Sequence, residues 1–155
     1  MPKRSAGLLL YRTGNGLVEV LIAHMGGPFW ARKNEGAWSV PKGEYDPDED
    51  PLAAATREFG EELGVAPPEG APVDLGTVKQ SGGKVVTVYA LEGDVDLTGF
   101  KSNTFVVEWP RNSGRQQEFP EVDRVEWADL DTAARLLVKG QVPFLDALRR
   151  HVQSL

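Results

Sequence analysis

The sequence lacks cysteine altogether, has only two histidines, and contains no apolar run long enough to cross a bilayer. The absence of cysteine excludes disulfides, thiolate catalysis and cysteine-ligated zinc or iron–sulfur sites. Basic residues are in the minority, because 17 Lys and Arg stand against 23 Asp and Glu and give a formal net charge of −6. Double-stranded nucleic acid is therefore not expected as a partner, since its binding depends on cations that neutralise phosphates.

The remaining composition is that of a single folded domain over residues 1–155. Hydrophobic residues make up 41% of the chain and charged residues 26%, as in ordinary globular proteins. The apolar run Leu8-Leu9-Leu10 is too short for a signal-peptide core, so we expect a soluble, cytoplasmic protein without a membrane partner. A small anionic ligand stays compatible with the charge, provided that a local basic patch or a bound cation holds it. The oligomeric state is left open.

Apolar runs and turn residues predict a layered fold. Residues 5–12 and 17–25 flank Asn15-Gly16, a pair typical of a β-hairpin. Asp50 is a good N-cap, Pro51 suits a first helical turn and Gly64 suits the position after the last turn, so Pro51–Leu63 is predicted as a helix. Later strands are predicted at 73–79, 84–91, 104–109 and 122–127, later helices at 131–138 and 143–152, and polar loops at 26–50 and 109–120. This order favours an α/β or α+β domain with a mixed sheet between helices.

Three carboxylates lie on one face of the predicted helix. Glu61 and Glu62 follow Glu58 at the i+3 and i+4 positions, where like charges repel and weaken a helix. A divalent cation such as Mg²⁺ or Mn²⁺ would relieve that repulsion, since both prefer oxygen ligands. The alternative is a solvated acidic face on a surface helix. Either way, the face is expected to be exposed to solvent.

The spacing around these carboxylates is specific. Gly43, Glu49, Arg57-Glu58-Phe59, Glu61-Glu62 and Gly64-Val65 match every fixed position of the Nudix box, G-x5-E-x7-R-E-U-x-E-E-x-G-U, where U is bulky and apolar. With average residue usage, such a match is expected by chance at roughly one in 10⁹ starting positions. The chain thus resembles a Nudix hydrolase of the MutT-like superfamily. Its extended Phe29–Gly43 segment together with the Trp109–Glu121 loop is similar to a small bacterial group described as predicted NTP pyrophosphohydrolases.

The resemblance implies a fold, a cofactor and a reaction. It implies an α/β/α sandwich with a mixed β-sheet and the box helix, within residues 43–65, at the active site. Glu58, Glu61 and Glu62 match the positions that hold Mg²⁺ or Mn²⁺, and the carbonyl of Gly43 often joins them. Glu49 and Arg57 match a supporting pair that orients the helix. The implied reaction is metal-dependent hydrolysis of a pyrophosphate bond.

Two regions offer a general base. Glu58 is the candidate inside the box, whereas Glu118 and Glu121 lie before a late strand, in a place that resembles the catalytic loop of several subfamilies. We favour Glu121, because a carboxylate that binds a cation is a poorer base and because Phe119 and Pro120 would partly desolvate Glu121.

Substrate-binding residues are harder to predict. Trp38 to Gly43 resembles the Trp-x-x-Pro-Lys-Gly segment of Nudix enzymes that act on diadenosine polyphosphates, and Lys42 is a candidate phosphate contact. Further candidates are the aromatics that stack on a base or fill the core, and two loop arginines that bind phosphate or face solvent: Trp30, Trp38, Tyr89, Arg32 and Arg115. The favoured substrates are NTPs or dinucleoside polyphosphates. The alternative is a non-catalytic Nudix module that binds a nucleotide and regulates a partner.

Overall fold

The computed structural model describes residues 3–155, apart from the side chain of Ser81. Its strands are β1 (Arg4–Gly14), β2 (Leu17–Met25), β3 (Trp38–Ser39), β4 (Lys42–Glu44), β5 (Val73–Lys79), β6 (Val85–Glu92), β7 (Thr104–Glu108), β8 (Gln116–Pro120) and β9 (Val122–Asp129). Its α-helices are α1 (Pro51–Leu63), α2 (Leu130–Leu136) and α3 (Val142–Gln153). No helix among the described residues is both long and apolar enough to cross a membrane.

The larger sheet is mixed, as the sequence predicts. Its strand order is β3-β2-β1-β6-β5, with β4 also pairing with β1 and β9 with β2. The β1–β6 pair is parallel and the other pairs are antiparallel. The predicted hairpin is confirmed in β1 and β2, where Asn15 and Gly16 both have positive φ, at 52° and 77°.

Helices cover both faces of this sheet. Successive side chains of β1 point to opposite faces, so that Leu8 and Leu10 pack with α1 whereas Leu9 and Tyr11 pack with α2 and α3. Phe59 of α1 is fully buried on the first face. The α/β/α sandwich is therefore confirmed.

Several predicted boundaries are wrong. The predicted loop over 26–50 contains the short strands β3 and β4, and β9 extends to Asp129 and not to 127. Residues 116–120 belong to β8 and not to a polar loop, because β8 pairs with β7 and brings the rings of Phe105 and Phe119 to 6.2 Å between centroids. The half-buried positions of β8 are Gln117 and Phe119, and because Gln117 is polar the sequence does not show the apolar–polar alternation of a strand. Helix α2 ends at Leu136 and not at 138, because Leu137 is extended and Val138 N–H donates to the Trp38 carbonyl at 3.0 Å.

The short strand β4 places the start of the box beside α1. It pairs antiparallel with β1, with Ala6 opposite Gly43 and Gly7 opposite Lys42. A Cβ on Gly7 would lie 2.9 Å from both the Lys42 Cβ and the Pro41 carbonyl oxygen, so glycine is what permits this close approach.

Candidate active site

Local chemistry fixes both ends of the box helix α1. The side chain of Asp50 accepts a hydrogen bond from Ala53 N–H at 3.0 Å, and Pro51 occupies the first turn. At the other end Gly64 adopts the left-handed conformation (φ 69°) and its N–H donates to the Gly60 carbonyl at 2.8 Å. These contacts hold the register of the three carboxylates relative to β4.

Glu62 is the most deeply placed of the three carboxylates. Its Oε1 accepts a hydrogen bond from the backbone N–H of Lys42 at 3.2 Å, which joins α1 to β4. Burial disfavours the charged form and raises the pKa of Glu62 to about 8, with the charges of Glu121 and Glu58 acting in the same direction. The backbone hydrogen bond from Lys42 and the charge of Lys42 lower the pKa of Glu62, but they offset the effect of burial only in part.

Glu58 lies against the backbone of β4. A Cβ on Gly43 would overlap the Glu58 carboxylate, so the box glycine is required for this contact. The Glu58 side chain is only 12% exposed, and burial raises its pKa. The expectation of a solvent-exposed acidic face is thus wrong for Glu58 and Glu62, whereas the Glu61 side chain is 42% exposed.

Arg57 links two groups of carboxylates. Its Nε and Nη2 donate to the two oxygens of Glu49 at 2.9 and 3.0 Å, and its Nη1 donates to Glu58 at 2.9 Å and to Glu61 at 3.3 Å. The guanidinium holds the pKa of Glu49 below its usual range. The ion pair between Glu49 and Arg57 therefore ties the loop before α1 to the helix, as a bidentate contact does.

Glu121 joins the box carboxylates from the opposite side of the cleft. It lies between β8 and β9, where its N–H donates to the Asn103 carbonyl and its carbonyl accepts from Gly26 N–H, both at 2.8 Å. A Cβ on Gly26 would overlap the Pro120 carbonyl, so this contact also requires glycine. Glu118 is exposed on β8, opposite Val106, and does not line the cleft. The structure thus brings only Glu121 of the two beside the box. Glu121 is exposed, however, so the partial desolvation predicted from Phe119 and Pro120 is wrong.

We call the resulting space the carboxylate cavity. Its volume is about 420 Å³. It is lined by Ser5, Lys42, Gly43, Glu44, Glu58, Glu61, Glu62, Gln80, Lys84, Val86, Asn103 and Glu121. Five of these residues are glutamates and two are lysines.

The donor set of this cavity suits a hard divalent cation. Carboxylate oxygens of Glu58, Glu61, Glu62 and Glu121 and the carbonyl of Gly43 are the ligands that Mg²⁺ and Mn²⁺ prefer. A cation would also add positive charge beside buried Glu62, where Lys42 offsets burial only in part. Among residues 3–155 no three acidic or histidine side chains lie together at metal-ligand distances, and Glu58 and Glu61 accept hydrogen bonds from Arg57.

A second space, the lysine cavity, adjoins the first. It has a volume of about 600 Å³ and shares Lys42, Gln80 and Lys84 with the carboxylate cavity. Its full lining is Met25, Trp30, Ser39, Lys42, Lys79, Gln80, Lys84, Val138, Gly140 and Gln141. Two candidate substrate residues, Trp30 and Lys42, are therefore brought together here.

The other four substrate candidates lie elsewhere. Trp38 is only 1% exposed and packs in the core between the sheet and helices α2 and α3, so its ring cannot stack on a base. Tyr89 packs among the residues that cover α1. Arg32 lines a separate cavity with Arg124, and Arg115 is exposed at the β7–β8 turn. None of the four lines either the carboxylate or the lysine cavity.

Sequence reasoning missed the residues that border the cleft from other segments. Lys79, Gln80 and Lys84 come from the β5–β6 turn, and Gln141 follows α2. Buried Gln141 accepts from Val40 N–H at 2.8 Å and donates to Ser39 Oγ at 2.9 Å, and so it supports the segment before Lys42. Of these residues, only Lys79 and Lys84 could have been suspected from the sequence, because they are basic and flank the predicted Gly82-Gly83 turn.

Comparison with known proteins agrees with this geometry. The family model of the NUDIX domain matches residues 1–148. The chain therefore belongs to the Nudix family.

The individual relatives either match only part of the chain or match it at low sequence identity. An RNA pyrophosphohydrolase of Rhodospirillum rubrum is 45% identical over 65 residues, which are 41% of this chain and 38% of that protein. The match thus spans well under half of the relative's length. Among solved structures, a binary complex of C. elegans Ap4A hydrolase has a TM-score of 0.68 at 21% identity and covers 97% of this chain and 99% of that one. The NUDIX domain of Shewanella oneidensis NrtR, complexed with ADP ribose, has a TM-score of 0.64 at 19% identity over 98% and 89%. These two structures support the fold.

Proposed function

We propose that this protein is an Mg²⁺- or Mn²⁺-dependent pyrophosphohydrolase of nucleotides, with NTPs or dinucleoside polyphosphates as the favoured substrates. The observation that carries the proposal is the convergence of Glu58, Glu61, Glu62 and Glu121 on one cavity with Lys42 at its border. The names of the relatives support the same reaction class, because they include a pyrophosphohydrolase and an Ap4A hydrolase.

The carboxylates and the Gly43 carbonyl would hold the cation. When bound, it neutralises phosphate charge and lowers the pKa of a bound water. The residues of the chain do the positioning. Lys42 borders the cavity and attracts the phosphates as a point charge, while Arg57 and Glu49 fix the orientation of α1.

Glu121 is the proposed general base. Backbone hydrogen bonds hold its main chain on both sides, and Glu121 lines the carboxylate cavity. As the water oxygen bonds to phosphorus, Glu121 accepts a proton from that water, the phosphorus–oxygen bond to the leaving phosphate breaks, and the leaving phosphate departs as an anion. Glu58, in contact with Arg57, is the alternative.

A substrate panel tests the proposal. Purified protein with Mg²⁺ or Mn²⁺ is incubated with NTPs, dinucleoside polyphosphates, ADP-ribose, nucleotide sugars and capped RNA, and the products are identified. We expect metal-dependent release of a nucleoside monophosphate or a shortened polyphosphate, abolished by chelation. Nucleotide binding without any hydrolysis would instead support the non-catalytic regulatory module.

A further inference from the structure

The carboxylate and lysine cavities are neighbours, and we call the two together the cleft. Lys42, Gln80 and Lys84 line both cavities. At 600 Å³ the lysine cavity has the size of an ordinary small-molecule site. The proposed function accounts for the first cavity only.

Three lysines line the lysine cavity, and two of them, Lys42 and Lys84, also line the carboxylate cavity. Among residues 3–155, no ion pair includes Lys79 or Lys84. In a chain of net charge −6, this concentration of lysines is suited to an anion that enters the cleft.

The turn between β5 and β6 holds two of these lysines in place. Gln80 N–H donates to the Lys84 carbonyl at 2.7 Å, and Gly83 N–H donates to the Gln80 carbonyl at 3.2 Å. Gly82 and Gly83 both have positive φ, at 83° and 84°, as this turn requires. A Cβ on Gly140 would lie 3.1 Å from the Gln80 side chain, so the turn also packs on the segment after α2.

The far end of the lysine cavity is aromatic and apolar. Half-buried Trp30 lines it together with Met25 and Val138. The Trp30 segment is anchored by fully buried His24, whose Nε2 lies 2.7 Å from the Lys33 carbonyl oxygen and whose Nδ1 lies 2.7 Å from Asp123. An anchored indole in a partly apolar cavity is suited to stacking on a nucleobase.

From this arrangement we infer that the lysine cavity is the nucleotide-recognition site, in which Trp30 contacts the base and Lys79 and Lys84 bind the polyphosphate chain that leads to the carboxylate cavity. The inference rests on the proposed function for what happens at the far end of that chain. It assigns the ligand class as nucleoside triphosphates and longer polyphosphates. A nucleoside monophosphate has too few phosphates to satisfy both lysines and the cation site.

Binding measurements with three probes separate the two parts of the site. Calorimetry in Mg²⁺ uses α,β-methylene ATP, AMP and inorganic tripolyphosphate. Lys79→Gln and Lys84→Gln should each weaken α,β-methylene ATP and tripolyphosphate about tenfold, because each removes a charge-assisted contact, and should weaken AMP less than about threefold. Trp30→Ala should weaken α,β-methylene ATP and AMP about tenfold and leave tripolyphosphate unchanged. Trp30→Phe should restore most of the base contact.

Lys101→Gln is the matched control, because Lys101 is exposed and lies outside both cavities. The inference is overturned if none of the probes binds, if the double variant Lys79→Gln/Lys84→Gln binds α,β-methylene ATP like the wild type, or if Lys101→Gln weakens it equally. Metal-dependent hydrolysis with lysine-independent binding overturns this inference alone. Lysine-dependent binding without hydrolysis of any nucleotide overturns the proposed function alone.

Discussion

The two cavities of the cleft are built in different ways. The carboxylate cavity takes half of its lining, including three of its carboxylates on α1, from residues 42–62, where Lys42 N–H joins β4 to α1 and Arg57 joins α1 to Glu49. The lysine cavity is assembled from four separate segments at 25–30, 39–42, 79–84 and 138–141. The difference teaches that the chemistry of the site is local in sequence, whereas recognition of the rest of the ligand depends on the tertiary fold.

Substitution of Glu62 should have the largest effect on metal binding and hydrolysis, because Glu62 is the most deeply buried carboxylate of the carboxylate cavity. Glu62→Gln keeps an oxygen for the Lys42 N–H but removes a charge that a cation needs. We expect Mn²⁺ affinity and hydrolysis to fall by more than about 100-fold, since even outer partners of metal sites give 10- to 100-fold effects.

Calorimetric titration of Mn²⁺ into the wild type and the variant measures this directly. Glu69→Gln is the control, because Glu69 is an exposed glutamate outside the cleft. Equal Mn²⁺ affinities of Glu62→Gln and wild type would remove Glu62 from the metal site.

Substitution of Glu121 tests whether the residues of 42–62 support hydrolysis without a carboxylate from a segment distant in sequence. Glu121→Gln should lower kcat by about 10²- to 10⁴-fold, the usual contribution of a positioned base, while metal affinity stays near that of the wild type. Glu118→Gln, three residues away but outside the cavity, should keep near-normal kcat. Normal turnover in Glu121→Gln, together with loss of the acidic limb of the pH profile in Glu58→Gln, would place the base in the box.

Substitution of Glu49 tests whether the contacts between Arg57 of α1 and the loop before α1 are needed for turnover. Glu49→Ala removes both of its contacts with Arg57, at 2.9 and 3.0 Å, and leaves the guanidinium to Glu58 and Glu61. We expect kcat to fall about 10- to 100-fold with little change in KM, as for other supporting partners of a metal site. A higher KM with unchanged kcat would make Glu49 a substrate contact instead.

The same contrast explains which features the sequence could predict. The bounds of α1 follow from Asp50, Pro51 and Gly64, each of which acts on its own neighbours. The depth of Glu62 and Glu58 was not predictable, because it depends on β4, which pairs with distant β1. Trp30 and Trp38 are alike in sequence, and only the packing of α2 and α3 makes one of them core and leaves the other in a cavity.

Buried Glu62 should also make the metal-free protein sensitive to pH. Its pKa rises from an ordinary 4.5 to about 8 in the folded state, so the folded protein binds the extra proton between these values. The free energy of unfolding should therefore fall as pH rises from 5 to 8, and the part due to Glu62 should be about 2 kcal/mol after allowance for relaxation.

Urea denaturation in a chelator at pH 5 and pH 8 measures this contribution. Glu62→Gln should lose less stability between the two pH values than the wild type, and Mn²⁺ should restore the wild type at pH 8. An identical pH dependence of the two proteins would show that Glu62 is not the responsible group.

Trp38 gives the smallest expected effect on activity and sharpens the distinction between core and cavity aromatics. Trp38→Phe removes the hydrogen bond from its Nε1 to Asn34 Oδ1 at 3.0 Å and leaves a gap against Leu137 in the core. We expect a loss of about 1–3 kcal/mol in the free energy of unfolding, from urea denaturation, with KM for a nucleotide changed less than about twofold. Trp30→Ala should show the reverse ordering, with unfolding altered less and KM raised about tenfold. A larger KM effect in Trp38→Phe than in Trp30→Ala would mean that the base is recognised near Trp38 and not through the lysine cavity.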